Sequence, residues 1–290
     1  MSSASGLIVP GLSHIADGYD AILCDVWGVI HNGVALFDGP VDALRNFRQK
    51  SGGTVVLITN APRPSPPIIE QLDRLGFPRE AYDAIVTSGD VTASLLQTEK
   101  IERIYHIGPD RDHTLFDDLN VARVAPEDTD TIVCTGLFDD VTETAEDYRE
   151  ALTVMAKRGM RMICANPDVV VERGSTLIYC AGALAGLYDE LGGETVRLGK
   201  PFGPIYNLAR QRAGAFAGSI PSDDRILAIG DGMFTDIKGA NGAGLPTLFV
   251  TSGIHHADFG PVENPDAQKV ADRLAAEGLK AVAAVTRLKW

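Results

Sequence analysis

With 290 residues, 45% of them hydrophobic, the chain is long enough for two modest domains or one large one with a full core. A net charge of −13 and an isoelectric point near 4.8 argue against nucleic acid or an anionic membrane as a general partner. They leave a small phosphorylated molecule open, because a metal and a lysine reverse the field within one cleft.

The opening residues to about Asp20 read as an irregular arm and a short helix, broken at Pro10-Gly11. Ala21–Val26 is an apolar run of strand length. Gly39-Pro40 then starts a helix with Val41, Leu44 and Phe47 at i, i+3, i+6, which ends near Gly52-Gly53. Thr54–Ile58 is the next strand, so the chain has made a parallel strand-helix-strand unit. A proline-dense loop over 61–67 leads into a helix carrying Ile68, Ile69, Leu72 and Leu75, then a strand at 84–87. Ser88-Gly89-Asp90 is the expected cap of a helix over 91–97.

From about residue 100 the pattern restarts, with strands at 103–107, 131–134 and 161–164 and helices near 144–158 and 178–191. After Gly199 a helix near 203–213, a strand at 226–229, a helix from about 235, a strand at 247–251 and a closing helical stretch at 264–288 are expected. The fold class is therefore α/β, a doubly wound parallel-sheet core of Rossmann type over 1–86 and 196–290, with an α/β cap inserted over 87–195.

No apolar run approaches the ~20 residues of a membrane span, and the first residues lack the basic start and apolar centre of a secretory signal. Cys24, Cys134, Cys164 and Cys180 lie in or beside apolar runs without close-spaced partners. The expectation is a reduced, cytoplasmic protein.

The chemistry concentrates at strand ends. Asp25 closes the first strand and is followed by the glycine-punctuated loop Gly28 to Gly33. A carboxylate ending a buried strand is desolvated without a partner unless it serves as a nucleophile, a metal ligand or both. Asp231 and Asp236 follow the strand at 226–229, and three carboxylates gathered at strand ends call for a cation. Oxygen ligands with room for water and phosphate suit magnesium better than zinc. Thr59-Asn60 ends a strand in a hydroxyl and an amide, and Gly199-Lys200-Pro201 fixes a lysine in a tight turn. Together these are the parts of a phosphoryl-transfer site.

The ordered set Asp25, Thr59-Asn60, Lys200 and Asp231/Asp236 resembles the four motifs of the haloacid dehalogenase superfamily. Within it the chain is most similar to the NagD-type class IIA phosphatases, which also carry N-P-D and G-K-P, here Asn166-Pro167-Asp168 and Gly199-Lys200-Pro201. The resemblance spans roughly the whole chain. It implies a mobile cap that selects substrate, Asp25 as nucleophile, and a Mg2+ site formed by Asp25, Asp231, the main-chain carbonyl of Trp27 and, in the outer shell, Asp236. It further implies that Gly28, Thr59, Asn60 and Lys200 hold phosphoryl oxygens, that Asn166 and Asp168 face the cleft, and, by analogy, a homodimer formed through the caps. The substrate expected is a small phosphorylated metabolite.

One position departs from the family pattern: Trp27 stands where the second aspartate of the first motif belongs. That aspartate is a general acid and base, a task worth about 10²–10⁴-fold in rate, and indole performs neither half of it. The expectation is a slow phosphatase, or one confined to good leaving groups such as acyl or aryl phosphates. The alternative is a catalytically reduced protein that binds a phosphorylated ligand or regulates. His31 is a conceivable replacement acid, though a histidine in a loop reads first as exposed. An aromatic at this place also fits the superfamily's metal-free dehalogenases, but these would leave Asp231 and Asp236 without purpose.

Overall fold

A computed structural model describes residues 6–173 and 176–290. In chain order the elements are β1 (Ala21–Asp25), α1 (Pro40–Ser51), β2 (Thr54–Thr59), α2 (Ser65–Leu75), β3 (Ala84–Thr87), α3 (Ser88–Thr98), β4 (Arg103–Ile107), β5 (Ala122–Arg123) and β6 (Thr131–Cys134). Then come α4 (Arg149–Lys157), β7 (Arg161–Cys164), β8 (Val170–Arg173), β9 (Thr176–Tyr179), α5 (Ala181–Glu190), β10 (Glu194–Arg197) and α6 (Gly203–Ala217). The chain ends with β11 (Ile226–Gly230), α7 (Lys238–Gly242), β12 (Thr247–Val250), α8 (Ala267–Ala276) and β13 (Ala283–Val285).

Two compact units result, one built from Met1–Thr59, Glu70–Val86 and Tyr206–Trp290, the other from Asn60–Ile69 and Thr87–Ile205. We call them the core and the cap. The cap takes in more chain than the 87–195 expected from sequence, since Asn60–Ile69 and the turn around Lys200 pack with it.

The core sheet runs β13-β12-β11-β1-β2-β3. β1 is parallel to both β11 and β2, and every residue of β1, β2 and β11 is buried, which is why these segments read as unbroken apolar runs instead of alternating ones. Successive strands proceed from β1 toward β3 on one side and from β11 toward β13 on the other. The order therefore reverses between β1 and β11, and crevices outside the carboxyl ends of strands at such a reversal are where open α/β sheets bind ligands. α1 covers this sheet with Ala43, Leu44 and Phe47, a stripe worth about 1.5–3 kcal/mol for each large side chain, and ends at Gly52 in the left-handed conformation.

The cap sheet runs β10-β7-β6-β4-β5, each strand parallel to its neighbours. Its core packs Ile107, Ile132, Leu152, Met162, Leu184 and Tyr188 together, and the Tyr188 hydroxyl donates to the Met160 carbonyl at 2.7 Å.

Several expected elements are corrected. The helix placed near 178–191 starts at Ala181; β8 and β9 form an antiparallel hairpin ahead of it, because Leu177-Ile178-Tyr179 are strand formers. α3 is capped one residue earlier than expected: the Thr87 hydroxyl accepts from Asp90 N at 2.8 Å while Asp90 accepts from Thr87 N, a capping box. The segment from about 235 begins as one π-helical turn over Met233–Ile237. The closing stretch at 264–288 is helical only over Ala267–Ala276, for Gly278 with φ +67° stops it. Ala283–Val285 then pairs with β12, and its Ala284 bridges to Ile8 of the opening arm. All four cysteines are buried, and none is in a disulfide.

Candidate active site

The loop after β1 folds back on itself. Ile30 N and His31 N both donate to the Val26 carbonyl, Gly28 N donates to the His31 carbonyl at 2.9 Å, and Asn32 Oδ1 accepts from Val34 N and Ala35 N. Gly28 and Gly33 sit at φ +86° and +88°, conformations that other residues reach only with strain. Gly28 is needed for a second reason: a Cβ there would collide with the Asp231 carboxylate.

Asp231 follows β11 directly. Its Oδ2 accepts from Ile254 N at 3.0 Å, and Gly253 lies against the same carboxylate with no room for a side chain. Asp236 is brought round by the π-helical turn, whose extra residue lets Asp236 N and Ile237 N both donate to the Gly232 carbonyl. Asp236 Oδ2 then accepts from Gly232 N at 2.9 Å, with Gly230 pressed against its Cβ.

The outcome is a cluster. Asp25, Asp231 and Asp236 are all buried and offer oxygens within 4.8 Å of one another. Three carboxylates so close repel strongly in a medium of low dielectric, and a cation reverses the sign of that interaction. An oxygen-only donor set cradled by Gly28, Gly230 and Gly253 fits a hard divalent cation and gives zinc none of its preferred nitrogen or sulfur. The same unit places Thr59, buried at the end of β2, one residue beyond the Asp25–Ile58 pairing.

Trp27 is half-buried. Its ring meets His31 edge-on with 5.2 Å between centroids and lies over Gly33, where a Cβ would stand 2.5 Å from Cη2. His31 is not the exposed loop residue expected: it is 2% exposed, Nδ1 accepts from Gly33 N at 2.9 Å, and burial pushes its pKa down to about 4. It is therefore neutral at pH 7, with its remaining proton on Nε2.

The other expected site residues gather in the cap. Asn60 Nδ2 donates to Asp168 Oδ1 at 2.8 Å and to the Lys200 carbonyl at 3.1 Å, and Asn60 Oδ1 accepts from Lys200 N at 2.7 Å. Both donor hydrogens of the Asn60 amide are thus used inside the protein. The Asn60 side chain anchors the Lys200 turn, where Gly199 leaves room for Asn60 Oδ1. Lys200 is 3% exposed. Asn166 Oδ1 caps the next turn by accepting from Asp168 N at 3.2 Å, a local structural bond.

What sequence reasoning missed are the glycines and backbone donors that shape the carboxylates: Gly230, Gly232, Gly253 and the N–H of Ile254. The alternation Gly230-Asp231-Gly232 carried that signal, because it brackets a buried acid with residues lacking a side chain.

A family model described as haloacid dehalogenase-like hydrolase matches residues 22–122, and a second, HAD-hydrolase-like, matches 197–276. A crystal structure of a hydrolase of the haloacid dehalogenase-like family from Brucella suis is 44% identical, with 97% of this chain and 100% of that chain covered and a TM-score of 0.86. D-glycerol 3-phosphate phosphatase of Mycobacterium tuberculosis is 28% identical over 85% of this chain and 67% of its own length. The ribonucleotide monophosphatase NagD of Escherichia coli is 27% identical over 82% of this chain and 89% of its own. The chain belongs to the haloacid dehalogenase-like hydrolases, in their class IIA, NagD-like branch.

Proposed function

We propose that the protein is a phosphoric monoester hydrolase that transfers the phosphoryl group of a small phosphorylated metabolite to Asp25 and from there to water. The observation that carries this reading is the convergence of Asp25 with Asp231 and Asp236 at the point where the core sheet reverses. Its relatives of known name are phosphatases of small phosphate esters, which supports the substrate class.

In this reading an Asp25 oxygen bonds to phosphorus while the bond from phosphorus to the leaving oxygen breaks, and water later cleaves the aspartyl phosphate. Asp25, Asp231 and Asp236 would hold Mg2+, with the Trp27 carbonyl as a further oxygen. Bound there, the ion would neutralise charge that builds on the phosphoryl oxygens. Thr59 is assigned a hydrogen bond to one of those oxygens. Lys200, in its turn anchored by Asn60, is assigned to balance their remaining charge. We place the protein in the cytoplasm, where its buried thiols stay reduced. Among the described residues no helix is long and apolar enough to cross a membrane.

Trp27 favours a second reading, a phosphate-ligand-binding or regulatory protein with little turnover. Phosphate release from a panel of glycerol 3-phosphate, dihydroxyacetone phosphate, nucleoside monophosphates and acetyl phosphate separates the two. Magnesium-dependent release from at least one substrate is the expected result, and saturable binding with no release from any of them would favour the second reading.

A further inference from the structure

Phe234 stands between the two acids of the turn after β11, beyond Asp231 and before Asp236. The inner side of that turn is fixed by Met233 and Ile237, both fully buried with Phe249, Phe259, Val270 and Leu274. Phe234 lies at its surface, 45% exposed, yet the ring has two neighbours from elsewhere in the core unit. The His255 imidazole meets it edge-on, with 5.7 Å between centroids and 78° between planes, and the Arg273 guanidinium lies 5.9 Å from its centroid. Arg273 is itself paired with Glu277 at 2.6 Å and with Asp258 at 3.5 Å, so the cation that α8 brings to the ring is held in place.

His255 belongs to the loop after β12, and the two residues before it reach Asp231. Ile254 N donates to Asp231 Oδ2 at 3.0 Å, and Gly253 lies so close that a Cβ there would overlap the carboxylate. The loop folds back on this step: His256 N donates to the Gly253 carbonyl and Asp258 N to the His255 carbonyl, each at 3.0 Å. Gly253, Ile254 and His255 thus grip the turn after β11 at two places, the Asp231 carboxylate and the Phe234 ring. A backbone N–H orients a carboxylate only as firmly as the backbone that carries it is held. Ile254 is 43% exposed, so burial of its own side chain does little to hold that backbone. The ring contact supplies the second attachment.

We propose that Phe234 is a positioning residue for the divalent cation: its ring clasps the loop after β12 to the turn after β11 and so sets the direction in which Asp231 presents its carboxylate. This rests on the reading of Asp25, Asp231 and Asp236 as the cation-binding set. Phe234 offers the ion no ligand atom and acts only through Asp231. Oxygens already held in place bind an ion more tightly than oxygens that must be ordered when it arrives. A leucine at position 234 keeps the apolar bulk but loses both the edge contact with His255 and the face offered to Arg273. A tyrosine keeps the ring and with it the clasp.

The test is calorimetric titration of Mg2+ into the full chain without substrate, for wild type, Phe234→Leu, Phe234→Tyr and His255→Ala. Phe234→Leu should raise the Mg2+ dissociation constant about tenfold, and Phe234→Tyr should bring it back to within about twofold of wild type. His255→Ala should also weaken binding, and adding it to Phe234→Leu should weaken binding little further, because both remove one contact. At saturating Mg2+ the KM of a substrate from the phosphate-release panel should not change. If Phe234→Leu fails to fold, His255→Ala and Phe234→Tyr decide. An unchanged Mg2+ dissociation constant in the folded variants that lack the contact would overturn the inference and leave the cation reading standing. A raised KM with Mg2+ affinity intact would overturn it too, making Phe234 a substrate contact. No Mg2+ binding by the wild type would overturn the cation reading of the three acids and the inference with it.

Discussion

The two parallel sheets of this protein each reverse their strand order once, the core sheet between β1 and β11 and the cap sheet between β4 and β6, and they treat acids at those points in opposite ways. At the core reversal, Asp25, Asp231 and Asp236 stand within reach of one another, with glycines making the room. At the cap reversal, Asp112 is 2% exposed but sits among donors. The Thr135 hydroxyl hydrogen-bonds it, and Thr135 Oγ1 lies 2.9 Å from His106 Nε2. Arg63 Nε lies 3.8 Å from its carboxylate. Arg111 is paired with Asp140, tying the loop after β4 to the loop after β6. One edge concentrates negative charge and so calls for a cation, while the other sets its acids beside arginines and a hydroxyl. Topology marks both edges as places for a ligand; the balance of charge marks only the first as a metal centre.

This contrast can be broken from either side. The largest effect is expected from Asp231→Asn, which removes one charge from the core cluster. Turnover should fall by about 10²-fold or more, while the metal-free protein should melt at the same temperature or higher because repulsion is relieved. In the wild type, Mg2+ at a hundred times its dissociation constant should add about 2.7 kcal/mol of stability. Differential scanning calorimetry with and without Mg2+ checks both points, and an equal Mg2+ shift in the variant would refute the assignment.

Gly28→Ala comes next. The new Cβ meets the Asp231 carboxylate and the backbone must hold φ +86°, so a loss of about 1–3 kcal/mol is expected together with weaker Mg2+ binding by calorimetric titration. Asn60→Ala removes the three hydrogen bonds that hold the Lys200 turn and Asp168. It should cost about 1–3 kcal/mol and lower kcat more than it raises KM. A variant with normal kcat would show that the Asn60 anchor has no part in catalysis.

The smallest effect belongs to the cap. Burial raises the Asp112 pKa from 3.8; the nearby Arg111 and Arg63 and the Thr135 hydrogen bond oppose the rise, and Asp140 adds to it. Because the folded value lies above the unfolded one, the contribution of Asp112 is complete below pH 3.8 and is lost as pH rises through its folded value. Asp112→Asn carries no such dependence. The melting temperature of the variant relative to wild type should therefore rise with pH across that range, and Mg2+ binding should not change.

Much of the core centre was legible because its signals are local. Two buried strands end at or beside a buried acid among the described residues, at Asp25 and at Ile229-Gly230-Asp231. The helix α1 and the strands β1, β2, β6, β7 and β11 were likewise written in apolar runs and periodicity. What escaped reading depends on distant partners. β13 is a strand because β12 and the arm around Ile8 lie beside it, and its three small apolar residues have no period of their own. The π-helical turn that delivers Asp236 has no sequence mark. The bond from Lys200 N to Asn60 Oδ1 joins residues 140 positions apart, which no local pattern announces. His31 reads as an exposed loop residue until the loop closes over it.

We propose Asp25 as the acceptor of a phosphoryl group beside a cation held by Asp231 and Asp236. Phosphate release from acetyl phosphate, followed across a Mg2+ titration for wild type and Asp25→Asn in parallel, tests it most directly. Release that rises and saturates with Mg2+ in the wild type, with the folded variant silent at every concentration, is the predicted result. Equal release by the two proteins, or release indifferent to Mg2+ and to chelator, would contradict it.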